Sequence, residues 1–421
     1  MTTSDLWEPW RVPLFRRFLI ARFLSAFSNR MIGVAIGWQV FDRTNSEFAS
    51  GMVGLVEIIP VFLLALPAGH LSDVRDRRGI VMASRSAMGV VAGLLCWIAW
   101  REARIEWLFA CIALLAAVRT FQGPAIDNLL PRIVEERMVP RSVAWLTNVW
   151  QTASIVGPVA AGQLIDRFGA AWPVYLMEVC VAVVVVRLYA SLPRVKPEPP
   201  EERTTWDAIL AGGTFLRENP VLLAAISLDL FAVLFGGAVA LLPAFAKKIL
   251  QVDATNLGWL SSAQSIGALA MSLWLIRRPG FARAGLAILW AVAGFGAATI
   301  VFGISRNFAL SLAMLFVMGA LDNISVVIRS TLLLVRVPDR MRGRVSAFND
   351  IFVGASNELG GFESGLLARW VGPVRSVVFG GLATLAVVAF TAWRAPALRN
   401  LASLEPVAEP APGEASPSGL V

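Results

Sequence analysis

The chain has 421 residues, of which 57% are hydrophobic and 16% charged, against roughly 25% charged in an ordinary soluble domain. That balance leaves too little polar surface to cover a soluble fold and excludes disordered, collagen-like and disulfide-rich classes, so it predicts an all-α integral membrane protein. The net charge of +8 reads as basic inner loops rather than as nucleic-acid binding.

Twelve spans of about 20 residues take about 240 positions, which leaves room for short loops and one longer central segment but no large soluble domain. The apolar runs place the spans near 17–41, 48–71, 79–100, 107–130, 142–166, 172–192, 220–246, 256–276, 284–304, 307–328, 345–368 and 373–393. Each must be helical, because a span in lipid has to satisfy its own backbone. Six spans lie on each side of a central segment, so the chain divides into an N-terminus (1–16), a first half (17–192), a linker (193–219), a second half (220–393) and a tail (394–421). The linker opens with a Pro/Glu-rich stretch and continues with an amphipathic piece from Trp206 to Arg217. The tail is rich in Ala, Pro, Glu and Ser, a composition that predicts disorder. No cleavable signal is visible at the start of the chain.

Lys and Arg orient the chain. Of the 37, 24 fall in the termini, the linker and the loops on their side, while nine fall in the opposite loops. This asymmetry predicts a multi-pass protein of the inner or plasma membrane with both termini cytoplasmic. One histidine and three cysteines offer too few ligands for a haem, zinc or iron–sulfur site. No cofactor and no metal are expected. Cys96, Cys111 and Cys180 lie in apolar stretches and read as small core residues.

The halves carry a faint repeat. Gly123-Pro-Ala-Ile-Asp127-Asn128 in the first resembles Gly319-Ala-Leu-Asp322-Asn323 in the second, each followed by a basic loop and a helix start. A six-plus-six repeat is a transporter architecture, with the substrate site between the halves near mid-membrane.

Several motifs support that architecture. Gly69-His-Leu-Ser-Asp73-Val-Arg75-Asp76-Arg77-Arg78-Gly79 resembles the G-x-x-x-D-R-x-G-R-R/K loop of the major facilitator superfamily. It departs from that pattern at Val74 and Asp76. Gly69 would allow close helix approach, and Asp73 would accept hydrogen bonds from Arg77 or from a helix N-terminus. The resemblance implies a latch of Gly69, Asp73, Arg75, Arg77 and Arg78 that holds one conformation. Leu115-Ala-Ala-Val-Arg119-Thr-Phe-Gln122-Gly123-Pro-Ala125 resembles the superfamily's L-x-x-x-R-x-x-Q-G motif, whose Arg is tied to proton coupling. Gly157, Pro158 and Gly162 stand in a degenerate antiporter motif, which hints at export. Small residues there would equally serve tight helix packing. The runs Leu130-Pro-Arg132 and Val337-Pro-Asp339-Arg340 are similar to the enterobactin-exporter-like and macrolide-efflux-like branch of the superfamily.

Charges inside a membrane are costly and need a reason. Arg30 and Glu57 lie near mid-depth in the first two spans, where a static Arg30–Glu57 pair is one reading. The other is a protonation switch at Glu57 or Asp229, since desolvation opposes the charged form and a nearby Arg favours it. Arg30, Glu57, Arg119, Asp229, Asp322 and Glu358 are the candidates for coupling or substrate contact. Glu358 and Glu363 are five apart and cannot both face one cavity centrally; Glu178 is a further intramembrane acid.

The expected function is secondary transport by alternating access: proton-coupled export of small organic molecules, siderophore-like or drug-like. The expected partners are that substrate, protons and the lipid bilayer, with no nucleic acid, and the chain is expected to be a monomer and not an enzyme. A proton-coupled uptake symporter is the alternative, and a non-transporting receptor or scramblase is the alternative of another class.

Overall fold

The computed structural model describes residues 3–127, 129–194, 206–278 and 281–402. The Pro/Glu-rich part of the linker and the tail beyond Ala402 lie outside the described residues.

The first half is built from α1 (Pro13–Thr44), α2 (Glu47–Val74), α3 (Arg77–Trp100), α4 (Ile105–Asp127), α5 (Val139–Phe168) and α6 (Trp172–Ala190). The second half is built from α7 (Pro220–Phe235), α8 (Ala254–Leu275), α9 (Ala284–Ile304), α10 (Phe308–Arg336), α11 (Asp339–Val371) and α12 (Pro373–Arg394). By length and hydropathy alone, nine spans stand out among the described residues. The others, α5, α8 and α11, are as long as spans but carry more polar residues. All three pack along the seam between the halves, where a polar side chain finds protein rather than lipid.

Local sequence sets the ends. Ser46 caps α2 by accepting from the Ala49 amide at 3.3 Å, and Asp253 caps α8 by accepting from Asn256 at 2.8 Å; such caps satisfy donors that a helix start leaves open. Gly169 closes α5 at φ +67°, a left-handed conformation that costs glycine little. The α7 span breaks after Phe235 and continues through short turns to a π turn at Phe245–Ile249. A Cβ at Gly237 would stand 2.5 Å from the Gly360 carbonyl oxygen, so the break lets α7 and α11 touch backbone to backbone.

Packing repeats between the halves. In the first half α1 packs on α5, α2 on α4, and α3 on both α4 and α6; in the second α7 packs on α11, α8 on α10, and α9 on both α10 and α12. The chain reverses at each connection, so the starts of the odd-numbered helices share one face with the linker helix, Trp206–Glu218. This linker helix lies on the base of α11, where a Cβ at Gly212 would meet the Arg344 carbonyl oxygen at 2.6 Å. Beyond α12 the chain docks back on the second half. Pro396–Arg399 forms a helical turn, Leu398 is fully buried, and the amides of Ala284 and Gly285 donate to the carbonyls of Ala402 and Leu401, both at 3.1 Å.

Candidate functional site

The halves meet along two seams, and both are tight on the face opposite the linker. On one, α2 packs against α11: a Cβ at Gly51 would stand 2.9 Å from the Gly361 carbonyl oxygen, and one at Gly54 would stand 2.5 Å from that of Glu358. On the other, α5 packs against α8, with Gly162 against the Ala254 carbonyl and Gly258 2.5 Å from that of Pro158 by the same measure. Polar bonds fasten the second seam. The Asp166 carboxylate accepts from the amides of Ala254 and Thr255 at 3.0 and 2.9 Å, an anion at a helix start. Ser262 Oγ donates to the Ile155 carbonyl at 2.6 Å, and Gln151 Nε2 to that of Ser265 at 2.6 Å.

A lysine pair on the π turn closes the same face. Lys247 pairs with Asp42 and sits 4.0 Å from the centre of the Trp38 ring. Lys248 pairs with Glu47 at 2.7 Å and donates to the Asn45 carbonyl at 3.1 Å. Towards the linker face the seams part: Gly69, Gly343 and Gly354 have open space where a Cβ would lie. The protein is therefore closed on one face and open on the linker face.

This state explains the loop at Gly69. The close approach expected there is not made, because the linker face is open. Arg77 Nε donates to the Ser72 carbonyl at 3.5 Å, and Asp76 caps α3 by accepting from the Arg78 amide at 3.3 Å. Arg78 reaches across to the end of α6, donating to the carbonyls of Leu192 and Ala190 at 2.7 and 2.6 Å. Arg75 closes α2 through its backbone amide, which donates to Leu71. The Asp73 side chain and that of Asp127 lie outside the described residues.

At mid-depth, charged groups gather where the seams begin to part. Arg119 Nη1 on α4 lies 3.8 Å from Glu57 Oε1 on α2. Glu358 approaches from α11 in the other half, within electrostatic reach of both. Glu57 thus pairs with Arg119 and not with Arg30. Arg30 instead lays its guanidinium over the Trp150 ring, 4.7 Å from the ring centre, because Gly157 packs directly on Arg30 Cβ and steers the side chain along α5. Arg119 Nε and Nη2, with Gln122 Nε2 one turn away, are buried donors lacking a hydrogen-bond partner among the described residues. Such donors cost free energy unless water or a ligand accepts from them.

Two further ionic pairs are sealed within the halves. Asp229 pairs with Arg329 and accepts from Ser325 Oγ at 3.1 Å. Asp229, Asp322 and Ser325 line a void of about 10 Å³, the scale of one water. Arg85 and Glu178 pair at 3.0 Å with no side-chain surface exposed. The sequence shows Glu178 as an intramembrane acid without naming its partner, and the span ending at 328 leaves Arg329 in a loop. The signal for the first was present: opposite charges at mid-depth in neighbouring apolar helices. Glu363 accepts from the neighbouring Ser364 Oγ at 3.5 Å.

The antiporter-like segment has two faces. Gly157 lies against α1 of its own half, whereas Pro158 and Gly162 lie against α8 of the other.

Comparison with known proteins agrees with this architecture. The chain is 25% identical over 378 residues to enterobactin exporters of Shigella boydii and Escherichia coli, spanning 89% of this chain and 90% of each relative. Its fold resembles that of a bacterial homologue of the human lysosomal transporter Spinster in an inward-facing, occupied conformation, with a TM-score of 0.70 at 13% identity, covering 92% of this chain and 97% of that one. It also resembles a POT family transporter in complex with 5-aminolevulinic acid, with a TM-score of 0.71 at 12% identity, covering 91% and 96%. The sequence model of the Major Facilitator Superfamily matches residues 18–361. The chain belongs to the Major Facilitator Superfamily and is a multi-pass membrane transporter.

Proposed function

We propose that this transporter exports small organic molecules in exchange for protons by alternating access, from the cytoplasmic side of a bacterial inner membrane. The observation that carries this reading is the Glu57–Arg119 pair with Glu358 facing it from the other half. An arginine that faces an acid on each of two moving bodies links their movement to the charge at that point. The relatedness to enterobactin exporters supports outward transport. The excess of basic residues on the linker face supports placing that face, and both termini, in the cytoplasm.

In the cycle, cargo enters the cavity open to the linker face. The halves then close on that face, and the lysine clasp and the Gly51 and Gly162 contacts release on the other. A proton taken up by Glu57 frees Arg119 and resets the carrier. Asp229 is the second coupling candidate, but its pair with Arg329 is sealed inside one half. The chain acts as a monomer in this reading, because the cavity lies between its own halves.

Everted membrane vesicles test it. Cargo added from a chemically diverse panel should release protons from energised vesicles bearing the wild-type protein. If Glu57→Gln and Asp229→Asn both leave that exchange unchanged, the coupling assignment is wrong. Acidification of the cytoplasm by external cargo would favour uptake instead.

A further inference from the structure

A cleft of about 370 Å³ opens towards the linker end of the first half, wholly within that half. It lies between α1, the end of α4 and the start of α5, and its walls include Phe18, Ile126, Leu130 and Leu146. Trp150 closes one side and Arg22 and Thr147 supply polar edges. The volume falls in the usual range for small-molecule pockets, which are mostly apolar with a few placed polar groups.

Trp150 is the telling residue. Half of its surface is exposed, and it stands on the wall of the cleft. Arg30 lies over its ring, and the Trp150 side chain itself lines the cleft. A guanidinium fixes an indole by cation–π attraction, so the cleft contains a ring already held in place. A flat ring in the cleft stacks on it without ordering a mobile side chain first.

We propose that this cleft is the first docking pocket for cargo, and that it selects a flat, mainly apolar aromatic body bearing an oxygen acceptor at its edge. The proposal rests on the exporter reading in one respect: the occupant is cargo. The aromatic body lies against Trp150 between Leu146 and Phe18, and the acceptor oxygen turns to the Arg22 guanidinium. From there the next step is short, because Trp150 also borders Arg30.

The test uses the full-length protein in lipid nanodiscs, with naphthalenemethanol as probe and its fully saturated counterpart, decahydronaphthalenemethanol, as control. Calorimetric titration should show the aromatic alcohol binding about tenfold more tightly than the saturated one, and Trp150→Leu should abolish that preference while Trp150→Phe keeps most of it. Leu146→Trp, which fills the cleft, should remove binding. A second measurement does not depend on those variants folding well: in Thr147→Cys the new cleft thiol should react more slowly with a water-soluble maleimide when naphthalenemethanol is present. Equal binding of the two alcohols, no binding of the aromatic one, or no protection of the thiol overturns the pocket. Gradient-driven flux of the same probe in proteoliposomes separates the two readings. Cleft-dependent binding without flux removes the exporter reading and leaves the pocket; flux that ignores Leu146→Trp and Trp150→Leu removes the pocket and leaves the exporter.

Discussion

Arg85 on α3 and Glu178 on α6 face each other at 3.0 Å with neither side chain exposed. Arg85 Nη2 also lies 3.5 Å from Ser28 Oγ on α1, so one guanidinium ties three helices of the first half. Breaking such a pair by removing one partner leaves an uncompensated buried charge and costs about 3–5 kcal/mol. Replacing both with apolar residues of similar size costs far less, because no charge is stranded. Arg85→Met and Glu178→Met should each lower thermal stability in detergent sharply, and the double variant should recover most of the loss. Size-exclusion chromatography after heating reads this directly. Strictly additive losses would show that the two side chains do not act as a pair.

The lysine clasp makes a different prediction. Lys247–Asp42 and Lys248–Glu47 join the halves on the face opposite the linker, and each pair spans the two bodies that must separate there. Single surface pairs contribute little, but two adjacent ones under rings at Trp38 and Phe41 act together. Lys247→Glu with Lys248→Glu should tilt the population towards a state open on that face. A cysteine placed at Ala49 should then label faster with an impermeant reagent added from that side. Adding Asp42→Lys and Glu47→Lys restores opposite charges and should slow labelling again.

Glycines on the seam should be harder to replace than the charges. A side chain at Gly162 would strike the Ala254 carbonyl, and one at Gly258 the Pro158 carbonyl. Backbone atoms cannot yield as a flexible side chain does. Gly162→Val should therefore prevent full closure of that face, lower transport, and raise accessibility at Ala49 without unfolding the half-bundles. An unchanged transport rate would mean that the seam opens and closes elsewhere.

The spans, the two halves and the motif positions were legible because membrane helices announce themselves by composition and length. Gly157 and Gly162 were legible as packing residues for the same reason: a small residue in a span permits close approach wherever the partner lies. What packs on what was not legible. Glu57 chose Arg119 over Arg30 because Gly157 brings α5 against Arg30 Cβ and Trp150 captures the guanidinium. Arg329 escaped because α10 continues to Arg336, past the point where hydropathy falls. A buried counter-charge at Asp229 lets the helix carry an arginine that composition assigns to a loop. The turn at Pro396–Arg399 was not legible because it is too short to show a periodicity, although Leu398 supplies the apolar contact that docks it.

The two carboxylates around Arg119 give the last prediction. Glu57 belongs to the first half and Glu358 to the second, so one guanidinium faces an acid on each moving body. If the proton cycles within this group, Glu57→Gln should abolish gradient-driven export yet leave downhill exchange of labelled cargo, since neutral Gln mimics the protonated side chain and keeps its shape. Glu358→Gln should weaken coupling by altering the field at Arg119 from across the seam. Arg119→Gln should impair both export and exchange, because it leaves Glu57 without its counter-charge in every state. These variants are compared in proteoliposomes with an imposed pH gradient and with none. A silent Glu358→Gln beside an uncoupled Glu57→Gln would confine coupling to the first half, where Arg119 and Glu57 rock as one body and the proton must then be exchanged through exposure of the cavity alone.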